Sequence, residues 1–295
     1  KSNLLYFTTL PLTLLFLSSI VADGAMGADT EVAQWTRFEA GFTSPTDYDN
    51  PVQDVRVEVE FSGPDGLGQT VLAFWDGGKT WKVRFSPEKT GEWRYRTRCS
   101  ETSDSGLHDQ SGSFRCVPYR GDNVLYLRGS IGLSENRRYL TYADETPFFW
   151  LADTCWNGAL LSTERDWETY LQDRVDKRFT VIQFVMTQWR MVPGDIEGRS
   201  AFTGKERIRV NPQFFQRMDR KYDAVNRHGL VAAPVLLWAI RGDDNPGYFL
   251  PEDQKIALAE YMVARYGAHQ AIWILGGDGE YRDEHAETWR NVGRA

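Results

Sequence analysis

The run Ile272-Trp273-Ile274-Leu275-Gly276-Gly277 is followed at once by two carboxylates, Asp278 and Glu280. A short apolar stretch bounded by glycine has the pattern of a strand buried on both faces, and on that reading the carboxylates stand at its C-terminal end. Three earlier apolar runs end in groups of the same kind. Asp153, Thr154 and Trp156 follow the first; Thr187, Gln188, Trp189 and Arg190 follow the second; Trp238, Arg241, Asp243 and Asp244 close the third. Indoles beside carboxylates and amides suit a sugar, whose C–H faces stack on aromatic rings while its hydroxyls take hydrogen bonds. Cleaving a glycosidic bond asks for two carboxyl groups, one protonating the leaving oxygen and one serving as nucleophile or base. Asp278 is the candidate catalytic acid, its place after an apolar strand being expected to raise its pKa by desolvation. Asp153, Trp156, Gln188, Trp189 and Trp238 are the candidate substrate-binding residues. Each has an ordinary alternative: Asp153 as a cap or an arginine partner, the tryptophans as packing, Asp243 and Asp244 as a solvated loop, and Glu280 as the start of a helix whose dipole it favours.

The elements that would position these groups fall into two halves with different periods. Residues 54–61, 70–75, 80–85 and 91–99 read as strands, separated by turns such as Ser62-Gly63-Pro64-Asp65-Gly66 and Asp76-Gly77-Gly78. Strands of that length and spacing predict an antiparallel β-sandwich, with Trp75, Trp81 and Trp93 packing its core or forming a sugar-stacking platform. Residues 124–146 have hairpin character. Buried-strand candidates then recur at 147–152, 179–186, 230–239 and 271–277, alternating with helical patterns. Thr163 with Asp166 resembles a capping box, Asn211 before Pro212 marks a second helix that stops at Gly229, and Pro251 opens a third that ends at Gly267. Four strand-helix repeats predict a parallel sheet wrapped in helices. The first three strand ends lack the glycine-rich phosphate loop expected of a nucleotide-binding doubly wound sheet, which favours the first half of a TIM-type (β/α) barrel. The long loops, 187–210 and 240–250, share one rim, as functional loops do.

Composition bounds the partners. The 295 residues carry a net charge of −7 with 41% hydrophobic and 14% aromatic residues, which suits a well-packed globular chain and, without a basic stripe, gives no nucleic-acid footprint. His108, His228, His269 and His285 show no metal-ligand spacing and no serine-nucleophile elbow occurs, so neither a metal nor another cofactor is expected. Residues 1–30 run from a lysine through a Leu/Phe-rich core to small residues, the order of a secretory signal peptide. The expectation is export, to the medium, the periplasm or the cell surface, with no membrane span in the mature chain; an N-terminal membrane anchor is the alternative. In an exported chain Cys99 and Cys116, flanking a polar stretch, are candidates for a disulfide worth roughly 3 kcal/mol. Cys155 reads as a buried thiol.

The segments PFFWLADTCWNGALLSTERDWETYLQDRVDKRFTVIQF and IWILGGDGEY resemble the apiosidase-like family of glycoside hydrolases, a (β/α)-barrel family once described only as a domain of unknown function. Upstream, WTRFEAGFTSPTDYDNPVQDVRVEVEF and VLAFWDGGKTWKVRFSPEKTGEWRYRT resemble the β-sandwich domain that precedes such barrels. The resemblance implies Asp278 as general acid/base, a nucleophilic glutamate on a later strand, and release of apiose from the pectic polysaccharide rhamnogalacturonan II. The expected organisation is a signal peptide over 1–30, a sandwich over 31–120 and the N-terminal part of a catalytic barrel over 121–295, the chain being a fragment cut at both ends, with exposed strand edges that favour aggregation. The leading expectation is a polysaccharide-cleaving hydrolase. The alternatives are a carbohydrate-binding protein that has lost its chemistry, and a sandwich that attaches the protein to a cell surface or matrix.

Overall fold

A computed structural model of the protein describes residues 30–190 and 192–295; but for Thr30, the expected leader lies outside the described residues. The N-terminal part contains β1 (Glu31–Ala33), β2 (Phe38–Thr43), the helical turn α1 (Pro51–Asp54), β3 (Val57–Ser62), β4 (Gly68–Leu72), β5 (Phe74–Gly77), β6 (Thr80–Phe85), β7 (Gly91–Cys99) and β8 (Ser111–Val117). One sheet has the order β1-β8-β7-β3-β4 and the other β2-β6-β5. Alternation along β7 explains the layering: Trp93, Tyr95, Thr97 and Cys99 are buried while Glu92, Arg94, Arg96 and Arg98 are exposed. Rings from both sheets meet between them, with Phe38 stacked on Phe114 at 4.1 Å and Phe61 on Phe85 at 4.1 Å. Trp81 and Trp93 lie in this core, so of the two uses open to them packing is the one adopted.

The run expected as one strand at 70–75 is two. β4 pairs with β3, whereas β5 pairs with β6, so the chain changes sheets at Ala73. The expected disulfide is also corrected. The register sets Cys116 opposite Gly91 and Val57 opposite Cys99, so the two cysteines lie near opposite ends of the nine-residue β7. Eight residues at about 3.4 Å each separate them by about 27 Å, against the 7 Å limit for a bridge, and both are free thiols. Arg96 pairs with Ser111, so β8 runs back along β7 and carries Cys116 away from Cys99.

The second part begins with α2 (Val124–Arg128) and the small antiparallel sheet of β9 (Ile131–Leu133), β10 (Leu140–Tyr142) and β11 (Pro147–Phe148). Here too the sequence reading shifts: Pro147 and Phe148 pair with Thr141 and Leu140, and the parallel strand begins only at Ala152. The remaining elements are β12 (Ala152–Thr154), α3 (Gly158–Leu161), α4 (Glu164–Asp176), β13 (Val181–Val185), β14 (Phe202–Thr203), β15 (Arg209–Val210), α5 (Pro212–Arg227), β16 (Val231–Ala239), α6 (Pro246–Phe249), α7 (Glu252–Tyr266), β17 (Ile274–Gly279) and α8 (Glu284–Arg294). Strands β12, β13, β16 and β17 form a parallel sheet in chain order, without the order reversal of a doubly wound fold. The predicted caps hold: Thr163 accepts from the Asp166 N–H at 3.1 Å and Asn211 from that of Gln213 at 3.1 Å, each worth about 1 kcal/mol. Gly229, at φ +72°, ends α5 in the left-handed conformation that glycine adopts without strain. Ile182, Phe184 and Leu236 pack with residues of α4, α5 and α7, while Val181, Val231 and Ala233 pack with Leu125 of α2 and Phe148 of β11.

The two parts share a polar interface. Asp219 of α5 accepts from Arg84 of β6 at 2.9 and 3.1 Å and from Arg265 of α7 at 2.6 and 2.7 Å; Arg265 also reaches Asp76 of β5 at 2.7 Å. The two guanidinium groups lie 5.0 and 4.7 Å from the Phe74 ring. Beside them Asp223 accepts from Arg37 at 2.6 Å and contacts His269 at 2.8 Å.

Candidate active site at the C-terminal end of the parallel sheet

The C-terminal ends of the four parallel strands carry the residues that the sequence singled out, in three kinds of setting. The first is an indole cluster. Trp238 ends β16 with its ring 5.0 Å from that of Trp156 and 4.6 Å from that of Trp189. Trp238 and Trp189 are buried, whereas Trp156 is 37% exposed and presents the part of the cluster that a ligand can meet. Trp189 donates its indole N–H to Asn157 Oδ1 at 2.9 Å, tying the loop after β13 to the loop after β12. The Trp238 Nε1 is buried without a hydrogen-bond partner among the described residues. Its ring lies against the backbone of Gly277, where an added Cβ would stand 2.2 Å from Cε3. Glycine is therefore required by close approach, inside the strand and not at a turn.

The second setting is the end of β17. Asp278 is exposed, one residue past that contact, so the burial expected to desolvate its carboxyl is not found. The reason is local: β17 is the edge strand of the sheet, and the β16–β17 pairing shifts register between Leu237 and Ala239, which leaves Asp278 between the paired residues Gly276 and Gly279. Tyr281 curls back to donate its hydroxyl to the Gly277 carbonyl; burial, with the Asp278 charge adding, raises its pKa to about 12. Glu280 is 86% exposed with His285 at 3.5 Å, and it precedes rather than starts α8, which begins at Glu284.

The third setting is structural. Asp153 accepts from Arg174 at 2.7 Å and from the Tyr170 hydroxyl at 2.9 Å, both on α4. It faces the helix-covered side of the sheet, so the arginine partner is the use adopted. Gln188 is spent on its own loop, donating to the Phe202 carbonyl at 2.9 Å and accepting from the Ala201 N–H at 2.8 Å. Arg241, Asp243 and Asp244 lie exposed in the loop after β16. Cys155 is half-buried, its thiol pushed up by burial.

Sequence reasoning missed two kinds of residue. Asn245, fully buried, accepts from the Arg190 N–H at 3.1 Å and donates to the Ile240 carbonyl at 3.0 Å, joining the two long loops. Tyr248 and Tyr281 are 42% and 38% exposed, each in the segment that follows a strand of the cluster. A Tyr three residues after Asp278 was a visible signal; Asn245 carried none, because a buried amide is identified only by what surrounds it.

The rim thus offers exposed carboxylates, of which Asp278 directly follows the strand residue packed on the indole cluster, and aromatic side chains on the adjoining loops. Among the described residues no group of three or more His, Cys, Asp or Glu side chains is placed to hold a metal ion, and no helix is long and apolar enough to cross a membrane.

Comparison with known proteins adds the following. Residues 134–295 match the family model described as apiosidase-like, catalytic domain, and residues 31–100 match a domain of unknown function, DUF5060. A crystal structure described as that of a candidate glycoside hydrolase from Bacteroides vulgatus ATCC 8482 is 22% identical, with TM-score 0.74 over 90% of this chain and 53% of that one. A second structure, described as a glycoside hydrolase, is 23% identical, with TM-score 0.50 over 59% of this chain and 39% of that one. At these identities the likeness is one of fold, and the chain spans about half the length of the first structure. No curated protein matches the chain.

Proposed function

The chain belongs to the apiosidase-like family, and from that premise we propose that it supplies the first half of a TIM-type (β/α) barrel to an exported glycoside hydrolase acting on a polysaccharide. In this reading residues 31–120 are the sandwich and 121–295 the barrel part, Asp278 is the general acid/base, and the exposed edge of Trp156 forms part of the sugar subsite. The observation that carries it is the meeting, at the C-terminal ends of parallel strands, of a solvent-facing carboxylate with an indole cluster pinned against the same strand. A carboxylate in water is suited to shuttling protons once a bound sugar covers it, since desolvation then accompanies binding. The second carboxylate that the mechanism needs is the glutamate that the family resemblance implies on a later strand. Export rests on the leader-like residues 1–30, and apiose-bearing pectic side chains are the substrate class that the resemblance suggests.

The test is Asp278→Ala in the full-length protein assayed on rhamnogalacturonan II. Turnover is expected to fall roughly 100- to 10,000-fold, the range for loss of a general acid/base, with retention of the polysaccharide on an affinity gel unchanged. An unchanged rate removes Asp278 from the mechanism. Retention by the parent protein with no product from any polysaccharide would favour the non-catalytic carbohydrate-binding reading.

A further inference from the structure

Two cations are buried under the rim, and among the described residues no carboxylate is hydrogen-bonded to either. Arg217 and Lys221, one turn apart on α5, are 3% and 0% exposed. Arg217 donates to the Ala159 carbonyl at 3.1 Å and to the Ser162 carbonyl at 2.6 Å. Lys221 donates to the Ser162 carbonyl at 3.0 Å, to Ser162 Oγ at 3.0 Å and to the Thr163 carbonyl at 2.8 Å. Its ammonium also lies 5.7 Å from the Trp167 ring. The nearest acidic groups act on the pair only through space: Asp195, Glu164 and Glu197 on Arg217, and Glu164 and Asp166 on Lys221. Burial lowers both pKa values, that of Lys221 to about 8.

Burying a cation costs several kcal/mol, and apolar replacements of buried ionic groups are often neutral or stabilising. Stability alone is therefore a poor reason for this pair. Their target is informative. Four of the five bonds end on Ser162 and Thr163, the two residues after α3, and the fifth on the Ala159 carbonyl within its single turn, where a helix presents carbonyls without intrahelical partners. The loop that α3 closes begins at Cys155 and carries Trp156, set against Trp238, and Asn157, bonded to Trp189. The same short helix supports the next loop, since the Leu160 carbonyl accepts from the Ile196 N–H at 3.0 Å.

We propose that Arg217 and Lys221 are positioning residues for the sugar subsite: by clamping the carbonyl end of α3 they hold Trp156 against Trp238 beside the strand end that bears Asp278. The value of that placement rests on the glycosidase reading; the placement itself does not. Stability and geometry should then respond differently. Without Lys221 no carbonyl is orphaned, because the Ser162 carbonyl keeps Arg217 and the Thr163 carbonyl keeps the Trp167 N–H at 3.1 Å.

The experiment uses the full chain labelled with 5-fluorotryptophan, with the resonances of Trp156, Trp189, Trp81 and Trp93 assigned by single Trp→Phe changes. In R217M/K221M the Trp156 resonance is expected to leave its parental position while those of Trp81 and Trp93, in the sandwich core, stay. In the charge-keeping variant R217K/K221R the Trp156 resonance should stay too. A folded R217M/K221M with Trp156 unmoved overturns the proposal, as does a shift of all four resonances together. If the double variant fails to fold, K221M replaces it, with a Tm near that of the parent and the Trp156 signal displaced; failure of K221M to fold assigns Lys221 to the fold and also overturns the proposal. No saccharide is present, so inactivity on every polysaccharide would remove the glycosidase reading and leave this result standing.

Discussion

Replacing Asp219 by Asn should unfold the protein as one unit and at a large cost. The Asp219 carboxylate takes four N–H bonds of 2.6 to 3.1 Å from two guanidinium groups whose side chains are 3% and 0% exposed. One comes from the sandwich and the other from α7. Burial pushes this carboxyl up, but the hydrogen bonds and charges of Arg265 and Arg84 outweigh it and hold the pKa below the usual carboxylate value. Asn removes the charge and turns an NH2 donor toward cations that remain buried between Glu39 and Asp76. Breaking a buried pair in this way costs about 3–5 kcal/mol, much of it the penalty of uncompensated charge. At about 2–4 °C per kcal/mol for a protein of this size, Tm should fall by roughly 6–20 °C. Differential scanning calorimetry with tryptophan fluorescence would follow it, and one coincident transition is expected, since the network joins both parts. A loss below about 1 kcal/mol, the value of a surface pair, would refute the reasoning. So would two transitions of which only one moves, since the two parts would then unfold independently.

Further outcomes follow from the same contacts. Asp76, Asp219, Glu39 and Asp223 all have folded pKa values below their ordinary ones, burial raising each and paired cations outweighing it. Their contribution is therefore fully present above about pH 5, beyond the ordinary carboxylate values, and lost as pH falls through the folded values; the denaturation midpoint should drop below about pH 5 in the parent and less so in Asp219→Asn. Gly277→Ala places a methyl 2.2 Å from the Trp238 ring, and overpacking of this kind costs about 1–3 kcal/mol; a chemical melt would measure it and the indole fluorescence should shift as Trp238 is displaced. Thiol titration of the unfolded protein without reductant should find Cys99, Cys116 and Cys155 all reactive, and reductant should leave Tm unchanged; a single reactive thiol would contradict the strand register.

What the sequence determined by itself is what short-range physics writes into it. Alternation along Gly91–Cys99, the caps at Thr163 and Asn211 and the glycine stop at Gly229 each act within a few residues, so a sandwich followed by strand-helix repeats was legible without coordinates. The fourth parallel strand was legible from its apolar run, but its bounds were not: it spans Ile274–Gly279 and includes Asp278, where the sequence reading had 271–277. Tertiary structure decided which face each polar group meets. Asp153 and Asp278 looked alike as carboxylates after apolar runs, yet one is bound by Arg174 and Tyr170 and the other is open to solvent. The tryptophans likewise read as equals, and packing left Trp156 exposed while burying Trp189 and Trp238. Register divided the cysteines, because β8 pairs back along β7 and sets Cys116 opposite Gly91, at the far end of the strand from Cys99. Burial, register and long-range pairing depend on residues as far apart as Trp35 and Gln270, 235 positions, and no local pattern records them.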